Sequence, residues 1–203
     1  MKKIIVGITG ASGALIGERL VKSLLDTGHE VHAILSASGV AVFKEELGIR
    51  LGSTHDRVRK NFLKHYGNPK TMTVSAADDF AARVSSGSSS IDAMVIAPCS
   101  MSSAAAIAHG ITINLIHRAA SVSLKERRML ILVPRESPLS TIHLENLLKL
   151  SQVGVFVLPA TTAFYHKPKN VEEMVDFTVG RVLDILKIKH KLFKRWRESS
   201  GAE

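Results

Sequence analysis

At 203 residues, 45% of them hydrophobic but only 5% aromatic, the chain is long enough for one buried core, too short to expect two, and suited to an α/β interior rich in Ala, Val, Ile and Leu. A formal net charge of +9 asks for acidic partners, but few aromatic residues are available to stack bases and no nucleic-acid-binding motif is present, so small phosphorylated ligands are expected rather than nucleic acid. The absence of any run of about 18 apolar residues or of a secretory start argues against a membrane span or export, and the single cysteine, Cys99, excludes an internal disulfide, so a cytoplasmic protein is expected.

Ile4, Ile5, Val6 and Ile8 read as a short buried strand running into Gly10, Ala11, Ser12 and Gly13 and then into an amphipathic helix over 14–27. Such a corner suits a phosphate: glycines let the backbone turn and approach closely, and the N–H groups and positive end of the following helix face the anion. The spacing is not G-x-G-x-x-G and no P-loop lysine follows, so one mononucleotide or flavin phosphate fits better than a dinucleotide or ATP. A strand-to-helix turn also needs glycine for structural reasons alone. Ser12 at the tip offers a hydroxyl for an anion or a proton relay.

Residues 30–35 read as a second strand, with Ser36 at the carboxyl end where ligands bind in a parallel sheet. A helix follows to about 47, and 52–75 is polar without a clear period. Residues 85–90, around Gly87, form a loop by composition. A buried strand over 93–97 ends in Pro98, Cys99 and Ser100, and small residues through 108 suggest a closely packed helix. The alternation then repeats: helix 114–125, strand 129–133, helix 142–150, strand 153–158 stopped by Pro159, and a long helix 171–188 leading into a basic tail over about 187–203. This pattern predicts an α/β fold in which 1–203 form a single domain around a doubly wound parallel sheet.

Arg135 and Glu136 directly follow a buried strand, where a planar cation could grip a phosphate and a carboxyl could move a proton beside it; a local salt bridge is the plainer reading. Arg118, Lys125, Tyr165 and Arg181 are further phosphate candidates, each equally able to be a surface or ion-pair residue. No metal site is expected: His29 and His32 point to opposite faces of a strand. Cys99 has the setting of a packed thiol, and His143 and His166 lack the Ser and Asp partners of a hydrolytic triad.

Together, Gly7-Ile8-Thr9-Gly10-Ala11-Ser12-Gly13-Ala14, Ser86-Gly87-Ser88, Ala97-Pro98-Cys99-Ser100, Leu124-Lys125-Glu126-Arg127-Arg128, Pro134-Arg135-Glu136, Ile142-His143-Leu144-Glu145-Asn146 and Phe164-Tyr165-His166 resemble the UbiX-type flavin prenyltransferases over nearly the whole chain. That family was long described as 3-octaprenyl-4-hydroxybenzoate or aromatic-acid carboxy-lyases. The resemblance implies a flavodoxin-like or Rossmann-like FMN-binding subunit, commonly a dodecamer. It joins the dimethylallyl group of dimethylallyl monophosphate to N5 and C6 of reduced FMN, without a metal, and the prenylated FMN serves a UbiD-type decarboxylase. Carried over by position, Gly10, Ala11, Ser12, Ser36, Ser100, Met101, Ser102, Ser103 and Arg135 resemble the FMN contacts. Ser86, Gly87, Arg118, Lys125, Arg135, Tyr165 and Arg181 resemble a prenyl-phosphate site assembled from adjacent subunits. Glu46 resembles the group that handles the proton lost on ring closure, and Ser12 with Glu136 the pair that protonates the departing phosphate. Phe80 falls where an aromatic face could meet the allylic cation, and Trp196 lies in a tail that could cover the site. Two other readings stay open, an FMN-dependent cysteine decarboxylase and a non-enzymatic basic flavin- or nucleic-acid-binding protein.

Overall fold

Ile4, Ile5, Val6 and Ile8 are each at most 1% exposed, and a strand hidden on both faces belongs in the middle of a parallel sheet with helices on either side. The computed structural model, which describes residues 1–195, places it there. Strand β1 (Lys3–Ile8) lies between β2 (Glu30–Leu35) and β4 (Ala93–Cys99), within the order β3-β2-β1-β4-β5-β6. The remaining strands are β3 (Met72–Ala76), β5 (Met129–Pro134) and β6 (Phe156–Val157), and all five pairings are parallel. The doubly wound parallel sheet expected from the alternation is therefore present. The described residues form two compact units, 1–160 and 161 onward. Trp196 and Arg197 of the tail lie outside the described residues.

Helices α1 (Ala14–Asp26) and α3 (His55–His65) pack on one face of the sheet, while α4 (Met101–Ala108) and α5 (Leu115–Lys125) cover the other. Pleating sends alternate residues to opposite faces. Ile5, Met94, Ile96, Leu130 and Leu132 accordingly meet Ala104, Ile116 and Ala120 in one core cluster, and Ile8 turns to α1. Helix α2 (Ala37–Leu47) follows β2, and α6 (Thr141–Gln152) lies against α4.

The polar stretch 52–75 holds α3 and β3, which its composition did not reveal. Phe62 is the one buried residue of α3, packed edge-on against Phe43 at 5.5 Å and Tyr66 at 5.2 Å. A single apolar anchor is too little to mark a helical period in sequence. The strand expected over 153–158 shrinks to two residues: Val153 caps α6, Gly154 turns the chain at φ 90°, and only Phe156 and Val157 reach β5. In the second unit α7 (Val171–Ile185) ends three residues before its expected limit. No helix among the described residues is long and apolar enough to cross a membrane.

His29 and His32 have structural work. His29 Nδ1 accepts from the Lys2 backbone N–H at 3.0 Å, and His32 joins β2 to β3, its Nδ1 2.8 Å from Thr73 Oγ1 and its Nε2 3.0 Å from Ser75 Oγ. Burial pushes the His32 pKa from 6.5 down to about 4, against a smaller upward pull from Asp79. The unfolded chain therefore takes up this proton first. Stability should be full above pH 6.5 and fall as the pH drops toward 4, by about 2–3 kcal/mol. Urea midpoints across that range should show the slope and His32→Gln should flatten it; an unchanged slope in the variant would rule His32 out as its source.

Candidate active site at the carboxyl edge of the sheet

In this strand order the connections from β1 and β4 leave in opposite directions, and the crevice they open at the carboxyl edge is where such folds bind ligands. Hydrogen bonds lock its walls together. Thr9 Oγ1 donates to the Pro98 carbonyl at 2.8 Å and accepts from the Ser100 N–H at 2.7 Å, tying the end of β1 to the end of β4. The Ser36 N–H donates to the Ile8 carbonyl at 3.0 Å, and the Arg135 N–H to the Cys99 carbonyl at 3.4 Å. The ends of β1, β2, β4 and β5 thus form one rim.

Two helices begin on that rim with serine caps. Ser36 Oγ accepts from the Gly39 N–H at 3.0 Å at the start of α2, and Ser100 Oγ from the Ser103 N–H at 3.3 Å at the start of α4. Each cap satisfies one of the otherwise orphaned N–H groups of its helix and leaves the positive helix end facing the crevice. Ser102 Oγ lies 3.1 Å from Ser100 Oγ, and Met101 is 5% exposed beneath them. A Cβ on Gly10 would stand 2.4 Å from the Ser38 Cβ, so the β1–α1 turn passes against the first turn of α2.

The third helix end is already occupied. At the start of α1 the Glu46 carboxylate accepts the Gly13 N–H at 2.9 Å and the Ala14 N–H at 2.8 Å, together with a hydrogen bond from the Ser12 side chain. Burial acts to raise the Glu46 pKa, but the bonds from Ser12, Gly13 and Ala14 and the nearby Arg135 charge outweigh it and hold the carboxyl below its usual value. The corner expected to receive a ligand phosphate at α1 therefore receives a carboxylate of the chain itself. The serine-capped ends of α2 and α4 are the ones left facing an anion. Arg135 completes the group, its Nε donating to the Ser12 carbonyl at 3.3 Å.

Ser12, Glu46 and Arg135 are thus brought together, whereas Ser12 and Glu136 are not paired. The Ser12 hydroxyl bonds Glu46, and the exposed Glu136 carboxylate accepts the Ser137 N–H at 3.1 Å. Phe80 is 46% exposed, in the segment after β3. Cys99 is fully buried and its thiol is pushed up to about 12 by burial, so it is no nucleophile.

The expected prenyl-phosphate residues divide. Ser86 and Gly87 precede β4, and Lys125 precedes β5, which puts them at the amino edge of the sheet. Helix α5 runs between the edges: the Leu115 N–H donates to the Ala77 carbonyl just past the end of β3, and Lys125 ends the helix about 15 Å further on. Arg118, one turn in, donates from Nε to the Ser85 carbonyl at 3.1 Å. Arg128 donates to the Gly87 carbonyl and, at 2.7 Å, to the Ser89 carbonyl, fixing the serine loop. Sequence reasoning placed Arg128 in the 124–128 motif of the resemblance but gave it no role. Lys125 Nζ pairs with Glu126 at 2.6 Å beside Gly87, and this bond draws the Glu126 carboxyl below its usual value. In the second unit Tyr165 lies edge-on to His166 and Phe177, and Arg181 pairs with Asp184 at 3.1 Å. Burial acts to raise the Asp184 pKa, but hydrogen bonds from Arg195 and His190 hold it down.

A serine-lined crevice with one arginine and two helix ends, on a doubly wound parallel sheet, defines a phosphate-binding α/β protein of the flavin-binding kind. The chain belongs to the Flavoprotein family, whose model matches residues 1–195. Flavin prenyltransferase UbiX of Methanocaldococcus jannaschii is 48% identical over 194 residues, covering 96% of this chain and 98% of that one. Among solved structures, AnUbiX in complex with FMN and dimethylallyl pyrophosphate aligns with a TM-score of 0.85 at 38% identity, over 98% of this chain and 99% of that one. A dodecameric FMN-dependent UbiX-like decarboxylase from Escherichia coli O157:H7 aligns with a TM-score of 0.85 at 39% identity, over 96% and 99%. FMN-dependent cysteine decarboxylases, at 18% and 15% identity, share the fold alone.

Proposed function

We propose that this chain is a flavin prenyltransferase that joins the dimethylallyl group of dimethylallyl monophosphate to N5 and C6 of reduced FMN. The observation that carries the reading is the convergence of Ser12, Glu46 and Arg135 beside the two serine-capped helix ends on one sheet edge. That donor set fits FMN: hydroxyls and N–H groups for one phosphate, and one cation. FMN supplies the nucleophilic ring atoms. Gly10, Ala11, Ser12, Ser36, Ser100, Met101, Ser102, Ser103 and Arg135 hold it. Glu46, kept ionised by its hydrogen bonds, is the base for the proton released at ring closure, and Glu136 is the acid for the departing phosphate. Ser86, Gly87, Arg118, Lys125, Tyr165 and Arg181 bind the prenyl phosphate, whose charge develops as the allylic C–O bond breaks.

Because Gly87 and Lys125 stand at the opposite edge from Ser12, they serve the crevice of another copy, and the working form is a homo-oligomer of the dodecameric kind. Exposed Ile111, Ile113, Ile142, Leu144 and Leu148 offer apolar surface for such contacts. The family match over 1–195 supports reading the chain as one functional domain. The product goes to a UbiD-type decarboxylase in the cytoplasm, a setting with which the free, buried Cys99 is compatible.

Anaerobic incubation with FMN, a reductant and dimethylallyl monophosphate, followed by mass analysis of the released flavin, should show a gain of one isoprene unit. Unchanged flavin with the protein folded and FMN bound would refute the reading.

A further inference from the structure

Behind the serine rim stands a buried histidine that the reading above leaves without a role. His117, in α5, is 4% exposed, and its Nε2 lies 3.2 Å from Ser103 Oγ. Ser103 Oγ in turn accepts from Ser100 Oγ at 3.1 Å, and Ser100 Oγ lies 3.1 Å from Ser102 Oγ. An imidazole and three hydroxyls therefore form one line from the interior between α4 and α5 to the start of α4. The other ring nitrogen, Nδ1, is buried without a hydrogen-bond partner among the described residues.

The ring is neutral, since burial pushes its pKa down, and a neutral imidazole carries one N–H and one lone pair. A buried N–H left without an acceptor is the rarer defect. The proton therefore belongs on Nε2, where it is donated to Ser103 Oγ, and the unmet lone pair falls on Nδ1. Ser103 Oγ now accepts from both His117 and Ser100, which fills its two lone pairs and turns its own proton toward a third group. With the opposite tautomer that proton would be spent on His117.

We propose that His117 is a positioning residue that makes Ser103 a hydrogen-bond donor to an oxygen of the flavin at the carboxyl edge. The inference rests on the flavin reading and adds to it a residue that touches no ligand. Glutamine places its amide nitrogen about where Nε2 stands and can donate to Ser103; asparagine is too short to reach, and leucine cannot donate.

The test is the FMN dissociation constant of the full chain, read from quenching of flavin fluorescence, for the parent, His117→Gln, His117→Asn, His117→Leu, Ser103→Ala and the His117→Leu/Ser103→Ala double variant, with thermal unfolding of each apoprotein alongside. His117→Gln should bind within about threefold of the parent, and His117→Asn and His117→Leu about 5- to 30-fold more weakly, as for the loss of one donated bond. The double variant should bind no more weakly than Ser103→Ala. Asn and Leu probe the same loss, so either suffices if the other fails to fold. A parent that binds FMN while Asn and Leu bind as well as it does, or while Gln is as weak as they are, overturns this inference alone. A parent that binds no FMN overturns the flavin reading and this inference with it.

Discussion

Glu46→Gln should lower turnover by about a hundredfold or more while weakening FMN binding about tenfold at most. Its carboxylate receives two backbone N–H groups, from Gly13 at 2.9 Å and Ala14 at 2.8 Å, and a bond from Ser12. Glutamine keeps the shape and one acceptor oxygen but turns an NH2 toward an N–H donor and removes the negative charge from a positive helix end, at a cost of about 1–3 kcal/mol in the turn. The larger effect is chemical, because an amide cannot take up the proton released at ring closure, and a positioned base contributes about 10²–10⁴ in rate. Single-turnover rates beside FMN affinities separate the two effects. Near-parent turnover with FMN bound would reduce Glu46 to a cap of α1. With Ser12 beside Glu46, Ser12→Ala should be strongly non-additive with Glu46→Gln and nearly additive with Glu136→Gln.

Gly17→Ala and Gly39→Ala should each destabilise the protein by about 1–3 kcal/mol, although alanine in a helix would ordinarily add about 1 kcal/mol. A Cβ on Gly17 would stand 2.5 Å from the Ala97 carbonyl oxygen, and one on Gly39 2.5 Å from that of Ile8. Both obstacles are backbone, so neither can swing aside, and each helix would have to lift from the end of β4 or β1. Those are the strand ends that carry Ser100 and the Gly10 turn, so FMN affinity should fall with stability. Urea midpoints should drop with little change in slope. A variant as stable as the parent would mean that the helices do not rest on these carbonyls.

Much of this was legible because it rests on local chemistry. The apolar runs at 4–8, 93–97 and 129–133 become strands of the sheet, and Ser36 and Ser100, expected at strand ends, lie there and also cap the helices that follow. The fate of Glu46 was not, because its partners are backbone groups 32 and 33 residues away and leave no side-chain signature. Helix α3 was hidden because a single phenylalanine anchors it, and a tertiary contact then does what periodicity usually does. The position of Lys125 was in principle readable: whatever precedes a parallel strand lies at the sheet's amino edge, opposite the residues that follow a strand.

That opposition shapes how copies must join. On the proposed sharing of the site, the chain carries one part at its carboxyl edge and the complementary part at its amino edge, a plug and a socket facing different ways. Two copies can exchange such parts reciprocally across a two-fold axis, or join head to tail, in which case each addition leaves another socket open at the end of the row. Only a closed arrangement leaves none unfilled; a row that failed to close would grow into a filament. Under that proposed sharing, the directions in which Ser12 and Lys125 stand within one chain call for a closed assembly.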